Sequence, residues 1–182
     1  MRLSKIFKKG NKTVFKCDCC GIEYDEIPMC FGSDFPDYYY SIPPNEIETR
    51  IELKKSLCVV DKEHFFHRGR ITIPIIDFPK DLYFDIWTSI SPENFEIRMD
   101  CWESTNRKEF GPYFGWVQNQ VPTYENTINI KSITVEQGID TIPEIEITEE
   151  SHQLTFDQQN GITHEKAMSI IQSILKSEHK SE

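Results

Sequence analysis

The sequence predicts an α+β fold: a mainly antiparallel sheet of about five to seven strands, two or three helices and an N-terminal cysteine knuckle. From residue 56 onward, β-branched and aromatic segments alternate with turn residues, as in strands joined by hairpins. Near the end, residues 163–175 carry apolar side chains at helical spacing. Strands and helices do not alternate regularly, which argues against a doubly wound nucleotide-binding fold.

Apolar and β-branched runs predict the strands. In chain order, the expected strands are residues 13–16, 57–60, 64–76, 82–90, 113–117, 127–136 and 144–148. The polar residues 61–63 suit a turn, so the strands on either side should form an antiparallel hairpin. Within residues 113–117, alternation should turn Phe114 and Trp116 toward the core and Tyr113 toward the surface.

Capping residues predict where the helices begin. Ser91, followed by a proline and an acidic residue, should open a helix that runs to about Trp102. Ser151 is expected to cap a helix over residues 153–159, and Thr163 should cap the final helix. A short helix is also expected within residues 45–53.

Length and charge predict one domain in the cytoplasm. The 182 residues divide into a basic flexible arm (1–12), an α+β domain (13–176) and a frayed tail (177–182). No secretory pattern or membrane-length apolar run is present, so we expect no membrane association. The net charge of −10 repels phosphate backbones, so it argues against nucleic acid and favours a basic protein partner.

The cysteine cluster at residues 17–20 indicates half of a zinc site. Cys17 and Cys20 have the spacing of a ligand pair, Cys19 could replace either of them, and Gly21 suits the tight turn. No second Cys-x-x-Cys pair completes the tetrahedron, so the other donors would come from elsewhere in the chain. The weak candidates are Cys30, Cys58, His64 and His67. Alternatively, the thiols pack in the interior or stay unligated.

Residues 64–70 have a basic centre made by His67, Arg68 and Arg70. Alternation along a strand places His64 and His67 on opposite faces, so they should not share a cleft. We therefore interpret this region as a salt-bridged sheet edge rather than as a general-base site.

Two segments predict a binding surface. The first is rich in aromatic and amide side chains, and the second is acidic, so it could attract a basic partner. The expected surface residues are Tyr113, Trp116, Asn119, Tyr124, Glu144, Glu146, Glu149 and Glu150. No catalytic motif is evident, and Ser151 beside His152 lacks the nucleophile-elbow pattern.

The leading interpretation is a non-enzymatic binding protein for a cationic protein, with toxin neutralisation as one form of that role. The alternative is a zinc-dependent enzyme or a small-ligand protein built around Cys17 and Cys20. In that case zinc would be the cofactor.

Six segments spread from about residue 15 to residue 175 carry a family resemblance: CDCCGIEY, FGSDFPDYYYSIP, ETRIELKKSLCVVDKEHFFHRGRITIPI, WTSISPENF, YFGWVQNQVPTYENT and SHQLTFDQQNGIT. Together they resemble the prokaryotic domain-of-unknown-function family numbered 2199. The resemblance implies a small soluble bacterial protein and supplies no catalytic residues. The family pattern has a histidine shortly after Cys-x-x-Cys-Gly, and this chain has Tyr24 at the corresponding place.

Overall fold

The structure is a computed structural model that describes residues 15–18 and 21–178, and its fold is α+β. The helices are α1 (Ile47–Arg50), α2 (Pro92–Asp100), α3 (Gln153–Asn160) and α4 (His164–Glu178). The strands are β1 (Phe15–Lys16), β2 (Glu23–Tyr24), β3 (Cys30–Gly32), β4 (Ile51–Lys54), β5 (Leu57–Val60), β6 (His64–Ile73), β7 (Leu82–Ile90), β8 (Tyr113–Trp116), β9 (Lys131–Val135) and β10 (Glu144–Ile147). The predicted arm at residues 1–12 and residues 179–182 of the predicted tail lie outside the described residues.

The main sheet has eight strands, more than the five to seven predicted. Six of them run in the order β3-β7-β6-β10-β9-β8, and the β4–β5 hairpin joins the sheet through β6. Pairing is antiparallel except between β3 and β7 and between β6 and β10. The prediction missed β3 because its three residues carry no alternating apolar pattern. It missed β4, whose sequence Ile-Glu-Leu-Lys does alternate, because residues 45–53 were assigned to a helix.

The described residues contain four α-helices, one in each of the four segments where a helix was expected, against the total of two or three given for the fold class. Residues 45–53 form one helical turn, α1, and then continue directly into β4. The Ser91 cap is confirmed, because its hydroxyl accepts a hydrogen bond from the Asn94 amide at 3.2 Å. Thr163 caps α4 in the same way through the Lys166 amide.

The predicted cap at Ser151 is wrong. Helix α3 begins at Gln153, and His152 is the residue that precedes it. The His152 imidazole accepts a hydrogen bond from the Leu154 amide at 3.1 Å through Nδ1. Ser151 lies one residue too early, because a cap must directly precede the first helical residue to reach the free amides.

The sheet curls until its end strand β8 contacts β7. The Gln118 amide donates to the Trp87 carbonyl at 2.8 Å, just beyond a bridge between Thr88 and Val117. The approach is so close that a Cβ on Gly115 would lie 2.0 Å from the Ser89 carbonyl oxygen. The curl encloses polar side chains: the hydroxyls of Thr88 and Thr134 lie 3.4 Å apart in the interior.

This curl overturns the predicted orientation of the β8 side chains. Tyr113 is 1% exposed, whereas Phe114 and Trp116 are 49% and 40% exposed. Alternation along the strand is present, as expected, but the enclosed side of the sheet receives Tyr113 and Gly115. The sequence predicted the alternation correctly but assigned the wrong face to the interior. Closure of β8 onto β7 decides which face is buried.

Two apolar clusters lie on opposite faces of the sheet. The main core packs α4 residues such as Ile171 and Leu175 against β6 and β7 residues such as Ile71 and Phe84. The smaller cluster contains Ile42, Cys58, Val60, Phe66 and Trp87. Within the described ranges, no helix combines the length and the apolarity needed to cross a bilayer.

Candidate functional site

A cleft of about 900 Å³ is lined by Arg68 and Arg70 of β6 and Asp85 of β7, whose side chains lie on the face of the sheet opposite to the main core. Helix α2 and the loop between β9 and β10 border it. We call it the arginine cleft, defined by Lys55, Arg68, Arg70, Asp85, Arg98, Trp102 and the loop residues 139–143. The cleft gathers basic side chains from three separate segments in a chain whose net charge is −10.

Arg98 on α2 is completely buried and lines the cleft. Its Nε donates to Glu136 at 2.6 Å, and Arg107 Nε donates to the other oxygen of the same carboxylate at 2.6 Å. Both Nη atoms of Arg98 are buried and have no hydrogen-bond partner among the described residues. Buried donors of a charged group that lack partners destabilise the folded state. An anion that accepts hydrogen bonds from these Nη atoms would remove that penalty.

Burial lowers the pKa of Arg98, and the nearby Glu136 carboxylate opposes that shift. An arginine nevertheless keeps its charge at any physiological pH. Two guanidinium groups therefore share one buried carboxylate, which leaves one positive charge unmatched beside the cleft.

Trp102 makes cation–π contacts with both arginines. The guanidinium carbons of Arg98 and Arg107 lie 5.3 and 4.9 Å from the centroid of the indole ring. A cation over an aromatic face is attracted by the ring quadrupole. Trp102 itself is 38% exposed, so part of the indole remains available at the cleft.

Arg68 and Arg70 project from the same face of β6 and differ in their partners. Arg70 forms a two-point ion pair with Asp85, with nitrogen-to-oxygen distances of 2.6 and 3.0 Å. The side chain of Arg68 makes no ion pair within the described part of the chain, and its buried Nε lacks a partner. Arg70 is therefore salt-bridged as predicted, but the predicted sheet edge is wrong, because β6 pairs with β7 on one side and with β5 and β10 on the other.

His64 and His67 lie on opposite faces of β6, as alternation predicts. His64 is exposed, and its ring lies 4.9 Å from that of Tyr38. His67 is fully buried, and its ring lies 6.2 Å from Tyr113. Burial and the charge of Arg98 hold the pKa of His67 well below its usual value, so the imidazole is neutral.

The predicted metal ligands occupy different environments. Cys17 lies in the main core, and Cys58 lies in the smaller cluster, where burial raises the pKa of its thiol to about 11. Cys30 is exposed, with its sulfur 3.7 Å from an Arg70 Nη atom. In residues 15–18 and 21–178, no group of three or more His, Cys, Asp or Glu side chains is placed to hold a metal.

Gly21 has a φ of 75°, and its amide donates to the Cys17 carbonyl at 2.9 Å. Cys19 and Cys20 lie outside the described residues. The cysteine knuckle and a zinc ion bound to it therefore stay predictions.

The predicted aromatic and amide residues do not form one surface. Tyr113 and Asn119 are buried, and Asn119 serves the fold by accepting from the Trp87 amide and donating to the Phe35 carbonyl. Tyr124 is partly buried and donates to Asp157 at 2.8 Å. Trp116 is the member that remains exposed.

The predicted acidic residues come closer to forming a site. Glu144, Glu146 and Glu150 line a groove of about 570 Å³, which we call the acidic groove. Glu144 accepts hydrogen bonds from the amide and hydroxyl of Thr72, and burial raises the pKa of its carboxyl. Glu149 lies apart, with its carboxylate 3.9 Å from the Lys131 ammonium.

Sequence reasoning missed the central part of the arginine cleft. Glu136 lies 38 residues after Arg98 and 29 after Arg107, and each of the three would normally be assigned to a solvated surface. Only the pair Arg68 and Arg70 stood out, as a basic centre in a strand. A signal for the others was the placement of an arginine and a tryptophan one helical turn apart near the end of α2.

Comparisons with known proteins agree with the resemblance found in the sequence. The model of a family described as "Uncharacterized protein conserved in bacteria (DUF2199)" matches residues 16–162, a span that includes every residue lining the arginine cleft. No curated protein and no solved structure matches the chain. Because the matched span covers most of the sequence, the chain belongs to the bacterial family DUF2199.

Proposed function

We propose that this protein is a non-enzymatic binding protein that holds an anionic group of its ligand in the arginine cleft. One observation carries the proposal: the guanidinium of Arg98 is buried at the cleft, with both Nη atoms unpaired among the described residues. A hydrogen bond to a charged group contributes about 1.5–3 kcal/mol, so an anion that pairs with these donors would gain substantial affinity.

The surroundings of Arg98 support the same conclusion. Glu136 and Trp102 fix the guanidinium before any ligand arrives, which reduces the conformational entropy lost on binding. Arg68 adds a second guanidinium without a described ion pair. Guanidinium groups bind carboxylates and phosphates through two parallel hydrogen bonds, so the cleft favours ligands of those classes.

The test is the thermal unfolding of the full chain with and without inorganic phosphate at low ionic strength. A ligand that binds only the folded state raises the Tm. We expect phosphate to raise the Tm of the wild type and the rise to fall by at least about half in Arg68→Ala. Arg50→Ala is the control, because it removes the same charge at a site that pairs with Glu46 and Asp61 and does not line the cleft. An equal rise in all three proteins would overturn the proposal.

A second candidate function is binding of a cationic protein, including a toxin, through the acidic groove. The observation in its favour is that three of the four glutamates predicted from the sequence line one groove, whose described lining contains no basic side chain. Opposite charges across an interface speed association and select the partner.

A fluorescently labelled oligolysine peptide tests this second function. Glu146 and Glu150 are both exposed in the groove, so the double variant Glu146→Gln/Glu150→Gln should weaken peptide binding without loss of stability. The matched control is Glu23→Gln/Glu52→Gln, which removes two exposed carboxylates elsewhere. Equal affinity for both double variants, measured by fluorescence anisotropy, would refute a role for the groove.

A further inference from the structure

The basic side chains of the arginine cleft carry more positive charge than the protein itself neutralises. Asp85 matches Arg70, and Glu136 matches one of the two arginines Arg98 and Arg107. Lys55 and Arg68 have no ion pair with any residue in the described ranges. Three positive charges are therefore unmatched: Lys55, Arg68 and one of the pair Arg98 and Arg107.

The acidic side chains of the cleft do not cancel this excess. Glu103 and Asp140 line it but are exposed to solvent. Exposed charges, including that of Lys55, are screened by water and salt, whereas the buried guanidinium of Arg98 is screened far less. Two less exposed positive charges therefore remain, Arg68 and one of the pair Arg98 and Arg107. A single carboxylate would compensate only one of them, so a dianion fits the site better.

One wall of the cleft is apolar. Ile139 is 44% exposed and Trp102 is 38% exposed, and both line the cleft together with Ile142 and Pro143. Large apolar side chains that stay exposed beside buried donors are typical of a ligand site. The volume of about 900 Å³ lies within the range of small-molecule sites and far exceeds the needs of an inorganic ion.

From these features we infer that the ligand of the arginine cleft is an organic phosphate monoester. Its dianionic phosphate accepts hydrogen bonds from Arg98 and Arg68 near Lys55, and its apolar portion packs against Ile139 and Trp102. A phosphate monoester combines nearly two negative charges with three acceptor oxygens on a single group. The inference rests on the proposed function and adds the chemical class of the ligand.

The experiment is isothermal titration of the full chain with four probes, at about pH 8 so that phenyl phosphate is fully dianionic. Phenyl phosphate has both predicted features. Inorganic phosphate lacks the apolar ring, phenyl sulfate carries a single charge, and phthalate carries two charges on separate carboxylates. We expect phenyl phosphate to bind at least about tenfold more tightly than each of the other three probes. Each of those probes loses either a charge contact or the burial of the apolar ring.

Each outcome bears on a different part of the inference. Equal affinity for inorganic phosphate would show that the apolar wall does not contact the ligand. Equal affinity for phenyl sulfate would show that the site does not require a dianion. Equal affinity for phthalate would show that the two charges need not lie on one phosphate group. In these three cases the proposed function survives, whereas no binding of any probe would overturn both.

Two adjacent lysines provide a matched pair of variants. Lys55 lines the cleft, whereas Lys54 is the last residue of β4 and does not line it; both are exposed. Lys55→Ala should weaken phenyl phosphate binding severalfold, and Lys54→Ala should leave the dissociation constant unchanged. Equal effects of the two substitutions would place the phosphate outside the cleft.

Discussion

At the scale of single residues, the most unusual feature is that one buried carboxylate serves two arginines. Glu136 is 1% exposed, and Arg98 and Arg107 are 0% and 4% exposed. A buried charge without its partner is strongly destabilising, even where the intact pair contributes little. Both buried guanidinium groups therefore depend on Glu136 for their countercharge.

Substitution Glu136→Gln tests this dependence. It keeps the size of the side chain but leaves two buried guanidinium groups without a counterion, so the free energy of unfolding should fall by about 3–5 kcal/mol. Urea denaturation measures the change, with the exposed Glu52→Gln as the control. A loss below about 1 kcal/mol would mean that the arginines do not depend on this carboxylate.

The buried His67 should make stability depend on pH. Its pKa is lowered by burial and by Arg98, so below about pH 6.5 the unfolded chain takes up a proton that the folded chain does not. Stability attributable to His67 is therefore full above that pH and falls as the pH decreases. The greatest slope is about 1.4 kcal/mol per pH unit.

Substitution His67→Leu should reduce this pH dependence. Urea denaturation between pH 5 and pH 6.5 should give a shallower loss of stability for the variant than for the wild type. Between pH 7.5 and pH 8.5 the slopes should agree, because the imidazole is then neutral in both states. Parallel curves over the whole range would show that His67 does not contribute.

A zinc ion bound by Cys17 and Cys20 would give about one zinc per chain in protein purified without chelators. That zinc should be lost in Cys20→Ser, because the ion requires thiolate ligands. Cys101→Ser is the control, since Cys101 lies in the interior near Tyr113. Elemental analysis of the three proteins gives the answer, and wild-type protein without metal would end the interpretation.

At the scale of elements, the predictions succeeded where a segment carries its own pattern. Strand β7 and the hairpin of β5 and β6 are rich in β-branched and aromatic residues, and α2 and α4 have correctly predicted caps. Strand β3 has only three residues, so it depends on pairing with β7, which local sequence could not reveal. Strand β4 alternates apolar and charged residues, but the prediction placed it inside a helix.

The contact between β8 and β7 leads to a sharp prediction about glycine. A Cβ at Gly115 would lie 2.0 Å from the Ser89 carbonyl oxygen, and backbone can yield only by separating the strands. Gly115→Ala should therefore reduce the free energy of unfolding by about 3 kcal/mol. Gly138→Ala is the matched control, because the nearest atom to its Cβ would be 3.7 Å away. Equal stability of the two variants in chemical denaturation would contradict the curl of the sheet.

At the scale of the whole molecule, the charge distribution separates two proposals. The net charge of −10 and the acidic groove favour cations over the surface as a whole, whereas the arginine cleft favours an anion locally. Both can hold in one molecule, because exposed charges act over roughly 10 Å at moderate salt.

Salt should distinguish the two sites. Binding of an oligolysine peptide to the exposed acidic groove depends on screened charges, so its affinity should fall steeply as sodium chloride is raised. Phenyl phosphate in the arginine cleft meets the buried guanidinium of Arg98 and an apolar wall, so its affinity should fall less. Titrations at low and high salt with both ligands check the difference, and equal slopes would contradict it.

The sequence by itself determined the α+β class, most of the long strands and helices, and the family. These features depend on side-chain periodicity and capping, which are properties of neighbouring residues. The tertiary structure alone decided which face of β8 is buried and which arginines meet. Arg98 pairs with Glu136 and shares a cleft with Arg68, although the three residues come from α2, the segment after β9, and β6. The arginine cleft therefore arises from contacts between distant segments, and no local pattern encodes them.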